Sequence, residues 1–253
     1  MPGRLRGRVA VVTGAGSSGP GWSPGKATAA LLGRAGAQVV ALDVNRDAAT
    51  ETQTLIDREG GSCIALTGDV TREADVVAAI EETVARLGRI DILFNGVAAE
   101  APGSPVELAE ADWDRVLALT VKSVFLTGKH VLPHMIRQGR GSIVNVASIG
   151  GSDDRDVPAF AYAAAKAALI GATKSIASQY AARSIRCNVI LAGPADIAAV
   201  EDGASESGAS PPESQTGTAW DIAHGALYLA SDEAADINGS EFRVDGGVTS
   251  ATR

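Results

Sequence analysis

Apolar runs rich in β-branched residues alternate with amphipathic, alanine-rich stretches along the whole chain, and this alternation restricts the fold more than any single motif. The first half reads RVAVVTG, ATAALLGRAGA, QVVALDV, AATETQTLIDREGG, SCIALTGDV, EADVVAAIEETVARLG and IDILFNG. The second continues with WDRVLALTVKSVFLTGKHVLPHMI, GSIVNVAS, AYAAAKAALIGATKSIASQYAA, IRCNVIL, DIAHGALYLAS and SEFRVDGG. Each strand-like run is apolar throughout, so both of its faces must be covered. The pattern predicts an α/β fold with a doubly wound parallel β-sheet of about seven strands flanked by helices. A ligand then belongs at the carboxyl ends of the strands, where the strand order reverses.

No Pro/Gly/Ser-rich linker divides the middle of the 253 residues, so residues 1–253 are expected to form a single domain. Residues 193–218, GPADIAAVEDGASESGASPPESQTGT, lack aromatic and basic side chains and read as a substrate loop or lid, with an inert insertion as the alternative. A formal charge of −8 argues against nucleic acid as a partner, because binding a phosphate backbone needs clustered Lys and Arg. The basic run MPGRLRGR is read as a solvated tail. No apolar stretch approaches the roughly 20 residues that span a bilayer, and the N-terminus lacks a signal-peptide apolar region, so no membrane partner is expected. Cys63 and Cys187 lie in strand-like runs, where buried free thiols are the rule, and a cytoplasmic location fits them.

Residues 13–29, TGAGSSGPGWSPGKATA, join the first strand to the first helix. Glycines let a backbone approach an anion closely, and a helix N-terminus offers it unpaired amides and partial positive charge. The literal Gly14-x-Gly16-x-x-Gly19 match is weak in a chain with 29 glycines. Ser23-Pro24 reads as an N-cap followed by proline at the first helical position, which puts Gly25 at the helix entry. Asp43 closes the next strand, 18 residues beyond Gly25, near the ~20 expected for an acid that accepts from the adenosine ribose hydroxyls. Such an acid repels a 2′-phosphate, so NAD is favoured and NADP is less so. Asp69-Val70 at the end of the third strand could touch the adenine edge, with helix capping as the plain alternative. Asn95-Gly96 ends the fourth strand, where a small turn admits the cofactor closely. Trp22 is read as a cover over the loop.

Tyr162 and Lys166 in AYAAAK are four apart on a helical stretch, and so share a face one turn apart. An ammonium beside a phenol favours the phenolate and brings the tyrosine towards the working range of a general acid–base. Ser148 ends the strand GSIVNVAS, fourteen residues before Tyr162, where a ligand is expected; its hydroxyl could hold a substrate oxygen. His130 and His134 are four apart, but Pro133 lies between them and no carboxylate or cysteine completes a ligand set, so no metal is expected.

The sequence resembles the short-chain dehydrogenase/reductase family, and specifically its NAD(P)-dependent oxidoreductases. The likeness rests on TGAG, GKATA, GDV, LFNG, IVNVAS, YAAAK, RCNVI and the ending DIAHGALYLASDEAADINGSEFRVDGG, in that order over nearly the whole chain. The resemblance implies a Rossmann fold and hydride transfer between a nicotinamide and a hydroxyl or carbonyl carbon. It also implies that Tyr162 exchanges the proton, that Lys166 binds the nicotinamide ribose, and that Ser148 orients the substrate oxygen. Gly14, Gly16, Ser23, Pro24, Gly25, Asp43, Asp69, Val70, Asn95, Gly96, Tyr162, Lys166 and Gly193 are the expected cofactor-binding set. Homotetramers are common in the family, and the small residues of AYAAAKAALIGATKSIASQYAA suit close packing in a homotetramer or homodimer.

Three departures from the family pattern stand out. The glycine loop is about five residues longer than TGxxxGxG. Thr120, in LALTVKS, replaces the asparagine whose backbone holds a relay water, and threonine can hold a water with its hydroxyl. In NVILAGPADIA, Ala192-Gly193 and Ile197 replace Pro-Gly and a threonine, and isoleucine cannot bond the nicotinamide carboxamide. These departures leave open an NAD-binding sensor or assembly subunit with little turnover. A methyltransferase also pairs a glycine loop with an acid at the second strand's end, but Tyr162, Lys166 and RVDGG speak against it. Asp153, Asp154 and Asp156, with Asp196, Glu201, Asp202, Glu206 and Glu213, favour a neutral or cationic secondary alcohol, or its ketone, over CoA, carrier-bound or phosphorylated substrates, with plain solvation of the surface as the alternative reading of these acids. A 3-oxoacyl carrier protein reductase is the alternative enzyme.

Overall fold

The computed structural model describes residues 3–17, 19, 21–149, 158–193, 195–196 and 217–250. These residues include nine strands: β1 (Val9–Thr13), β2 (Gln38–Asp43), β3 (Ser62–Thr67), β4 (Ile92–Asn95), β5 (Gly141–Ser148), β6 (Ile185–Ala192), β7 (Ala195–Asp196), β8 (Gly217–Thr218) and β9 (Glu241–Val244). Seven of them form one sheet in the order β3-β2-β1-β4-β5-β6-β9, parallel throughout, while β7 and β8 pair separately. The chain winds outward from β1 to β3, then returns to the other side of β1 with β4. That reversal opens a crevice between the carboxyl ends of β1 and β4.

Among the described residues, seven α-helices cover the sheet: α1 (Pro24–Arg34), α2 (Arg46–Arg58), α3 (Glu73–Leu87), α4 (Glu110–Leu117), α5 (Ser123–Gln138), α6 (Phe160–Tyr180) and α7 (Ala219–Ala230). Neighbouring strand residues point to opposite faces, so Val12 packs with α1 and α7 in one core while Val11 packs with α3 and α5 in the other. Side chains of the central strands β1, β4, β5 and β6 are buried almost completely on both faces, whereas the edge strands β3 and β9 are buried in part.

The stretch WDRVLALTVKSVFLTGKHVLPHMI reads as a single helix, but the structure divides it. A π-helical turn, Ala118–Lys122, separates α4 from α5 and carries Thr120. One residue too many is accommodated as a bulge, and the apolar pattern runs through it without interruption.

Polar side chains also cross the interior. Asn95 on β4 donates from Nδ2 to Asn145 Oδ1 on β5 at 2.8 Å, and its Oδ1 accepts from Thr127 Oγ1 of α5 at 2.9 Å. Asn145 Nδ2 donates on to Thr173 Oγ1 of α6 at 2.9 Å. All four residues are buried, so the ladder joins two strands to both overlying helices at a fixed register. Asn145→Ala leaves the Asn95 amide and the Thr173 hydroxyl without these partners. We expect a loss of at least about 2 kcal/mol of stability, measured by denaturant unfolding.

Candidate active site

The glycine loop is closed by its own polar groups. Ser23 caps α1 with extended backbone, its Oγ accepting from the Lys26 amide at 3.0 Å and donating to the Gly16 carbonyl at 2.6 Å. Its amide donates to Ser17 Oγ at 2.9 Å. Pro24 opens the helix, and a Cβ on Gly25 would overlap the Gly14 carbonyl oxygen, so only glycine lets α1 sit this close to the end of β1. Gly14 itself has φ +67°, the left-handed turn that takes the chain away from the strand. Lys26 donates its amide to the cap and Ala27 bonds the Ser23 carbonyl, while proline has no N–H, which leaves the Gly25 amide in the first turn.

The longer loop is anchored by an aromatic pair. Trp22 is 8% exposed and lies in the core under α1 and α7, its ring 4.6 Å from that of Trp220. Lys26 Nζ lies 5.1 Å from the Trp22 ring centroid and 2.6 Å from Glu51 Oε1 on α2. Trp22 therefore does more than cover the loop: it ties the loop to α7.

Asp43 reaches the same loop from the end of β2. Its Oδ2 accepts from the Gly16 amide at 2.9 Å and its Oδ1 from the Asn45 amide at 2.9 Å. Thr52 Oγ1 adds a bond to the Ala15 carbonyl at 2.7 Å. Asp69 Oδ1 accepts from the amide and hydroxyl of Thr71, at 2.8 and 2.7 Å, which is a turn-capping geometry, and Val70 beside it is buried. Gly96 follows β4 and donates its amide to Thr13 Oγ1 at 3.3 Å, placing it in the crevice. Gly193 follows β6 and donates to the Val244 carbonyl at 2.9 Å. Ile197, Asp153, Asp154, Asp156 and the acids from Glu201 to Glu213 lie outside the described residues.

At the carboxyl end of β5 the structure assembles the polar groups of α6. Lys166 is 5% exposed, and its Nζ donates to the Val146 carbonyl at 2.7 Å and lies 5.4 Å from the Tyr162 ring centroid. Ser148 stands two residues beyond Val146 on the same strand, paired in register with Ala192. Burial pulls the Lys166 ammonium down from the usual 10.5 to about 8, against the opposing charge of Glu100. Thr120 is fully buried on the π-helical turn, which packs against α6, and its Oγ1 has no hydrogen-bond partner among the described residues.

These features fit a dinucleotide. A glycine cradle too tight for a Cβ leads into a helix N-terminus, an acid stands at the second strand's end, and a buried ammonium lies across the crevice. The histidines take ordinary partners: His130 Nε2 contacts Glu73 at 2.9 Å, and His134 Nδ1 contacts Arg137 at 2.7 Å. No metal-binding cluster occurs among the described residues. Sequence reasoning missed the Val146 carbonyl, the Asn95–Asn145 ladder and Glu100. A lone asparagine inside the apolar run GSIVNVAS was the visible signal for the ladder; a backbone acceptor leaves none.

Comparisons with known proteins agree in outline. Residues 21–249 match the family model described as enoyl-(acyl carrier protein) reductase. The chain is 35% identical over 258 residues to dehydrogenase/reductase SDR family member 6 of Aquarana catesbeiana, covering 97% of this chain and 98% of that protein. It is 38% identical over 247 residues to cis-4-hydroxycyclohexanecarboxylate dehydrogenase of Sinomonas cyclohexanicum, covering 96% of each. A solved short-chain dehydrogenase/reductase structure from Burkholderia xenovorans superposes with a TM-score of 0.90 at 39% identity, over 99% of this chain and 100% of that one.

The buried lysine makes stability depend on pH. Between about 8 and 10.5 the unfolded chain keeps the Lys166 proton while the folded chain releases it, so folding gains stability as pH rises through that window. Below it, both states are protonated and the folded state bears the full desolvation penalty. Lys166→Met cannot titrate. Unfolding curves taken across the window should therefore show wild type gaining on the variant as pH rises.

Proposed function

The chain belongs to the short-chain dehydrogenase/reductase family, oxidoreductases that act on CH–OH donors with a nicotinamide cofactor, and we propose that it interconverts a neutral or cationic secondary alcohol and its ketone with NAD. The observation that carries this reading is Lys166: a buried ammonium pinned to the strand end by the Val146 carbonyl, one helical turn from Tyr162.

A nicotinamide held in the crevice would supply the hydride acceptor for the alcohol carbon, and the hydride donor in the reverse direction. The rest falls to the chain. Ser148 donates a hydrogen bond to the substrate oxygen and aligns it with Tyr162. In oxidation, the Tyr162 phenolate takes the hydroxyl proton while the O–H electron pair becomes the second bond of the carbonyl. The Lys166 ammonium stabilises that phenolate and holds a ribose hydroxyl. The unpartnered Thr120 hydroxyl holds a water through which the proton leaves towards solvent.

Asp43 supports NAD over NADP. It already holds the Gly16 amide, and a 2′-phosphate placed beside it would meet a like charge. Gly14, Gly16, Ser23, Pro24 and Gly25 cradle the pyrophosphate. Asp69 and Val70 border the adenine, while Asn95, Gly96 and Gly193 line the crevice towards the nicotinamide. A homotetramer or homodimer is supported by α6, which exposes Ala167, Ala168 and Gly171, and by Phe125 on α5, 60% exposed. Buried free Cys63 and Cys187, both pushed up to about 12 by desolvation, suit the proposed cytoplasmic setting. No described helix is long and apolar enough to cross a membrane.

Formation of NADH on a panel of secondary alcohols, polyols and cyclic alcohols tests the reading. Tyr162→Phe keeps the ring and removes the acid, and should lower kcat by about 10²–10⁴-fold. Asp43→Ala should narrow the preference for NAD over NADP by about tenfold in kcat/KM, which is the effect of removing one like-charge contact. NADH binding without turnover across the panel would overturn the dehydrogenase reading. A CoA thioester that outpaced every neutral alcohol would overturn the substrate charge argument.

A further inference from the structure

The extended glycine loop enters α1 through Trp22, the residue directly before the Ser23 cap. Its neighbours in the loop are already held. Gly16 is packed against α2, where a Cβ would stand 2.5 Å from the Ala48 Cβ, and its amide is bonded to Asp43. Ser17 Oγ donates to the Gly21 carbonyl at 3.2 Å and accepts from the Ser23 amide at 2.9 Å, so the residues on either side of Trp22 hang from one serine. The Trp22 ring leaves the loop and meets Trp220, in the first turn of α7, with centroids 4.6 Å apart and planes inclined at 54°.

Cations of α1 cover both indoles. Lys26 Nζ lies 5.1 Å from the Trp22 centroid and pairs with Glu51, while the Arg34 guanidinium carbon lies 4.8 Å from the Trp220 centroid and its nitrogens bond Glu59. Trp220 Nε1 has no hydrogen-bond partner among the described residues, so its hold on Trp22 is through the ring face, which phenylalanine shares. An apolar residue just before an N-cap commonly fixes the entry angle of a helix by packing on that same helix. Here the partner ring belongs to α7. An anion at the α1 N-terminus is received by backbone amides whose direction follows residues 22–25, and a loop held in place before binding spares the complex the cost of ordering it.

Within the dinucleotide reading of the site, we propose that Trp22 and Trp220 are positioning residues for the cofactor. Their ring contact holds the start of α1 in the orientation that receives the pyrophosphate, and it acts through Ser23, Pro24 and Gly25. The affinity of the glycine loop for NAD is therefore set in part on α7.

The test is calorimetric titration of the full chain with NADH, on wild type, Trp22→Ala, Trp220→Ala and the double variant, with the denaturant midpoint of each measured separately. Each alanine variant should weaken NADH binding by about tenfold, and the double variant by about as much as either alone, because each removes the same contact. Trp22→Phe and Trp220→Phe should keep most of the affinity. Tyr228→Ala removes a second aromatic contact of α7, with Phe242 at 5.9 Å, and should lower the midpoint while NADH affinity stays as in wild type. An alanine variant that does not fold is replaced by leucine, which keeps apolar bulk without a ring and should lose about threefold. Wild-type affinity in Trp22→Ala or Trp220→Ala, losses that multiply in the double variant, or an equal loss in Tyr228→Ala overturns the proposal and leaves the cofactor reading standing. A folded wild type that binds no NADH overturns the cofactor reading and the proposal with it.

Discussion

The polar groups of the site stand at the carboxyl edge of one parallel sheet or on the helices packed against it, and that sheet holds its register because apolar side chains are buried on both of its faces. Hydrogen bonds between strands do not distinguish the two faces of a strand; burial does. The two cores lie on opposite faces of the sheet, so a shift of one strand by one residue would exchange their side chains. The Asn95–Asn145 ladder adds a polar check on the same register at β4 and β5, where the wrong pairing would leave buried amides unsatisfied. Gly96, Ser148 and Gly193 therefore stand at fixed heights around the crevice.

Electrostatics then divides the crevice. At the glycine loop, a helix N-terminus and tightly folded backbone favour an anion, while Asp43 limits where that anion can extend. Across from it, Lys166 is pulled down to about 8 by burial yet donates to the Val146 carbonyl, a bond that is stronger from the ammonium form. Desolvation and hydrogen bonding thus oppose one another at the group that sets the phenol beside it.

The long glycine loop is anchored through Ser17, Trp22 and Ser23. Its extra length buries an indole against Trp220, an aromatic contact of about 0.5–1.5 kcal/mol beyond its area. Ser17 and Ser23 satisfy the loop's own backbone. The loop is thereby tied to α7.

Much of this was legible in the residues alone. Continuous apolar strands specified a doubly covered parallel sheet; Ser23-Pro24 specified where α1 begins; and Tyr162 with Lys166 specified one helix face, because each of these depends on local geometry and spacing. The π-helical turn at Thr120, the carbonyl that holds Lys166 and the Trp22–Trp220 contact were not legible. Each depends on groups far apart in the chain, or on backbone atoms that every residue shares, and folding the sheet is what brings them together. Periodicity along the chain determines which face of an element is buried; only tertiary packing decides which partner that face meets, because burial free energy rewards contact and carries no sequence address.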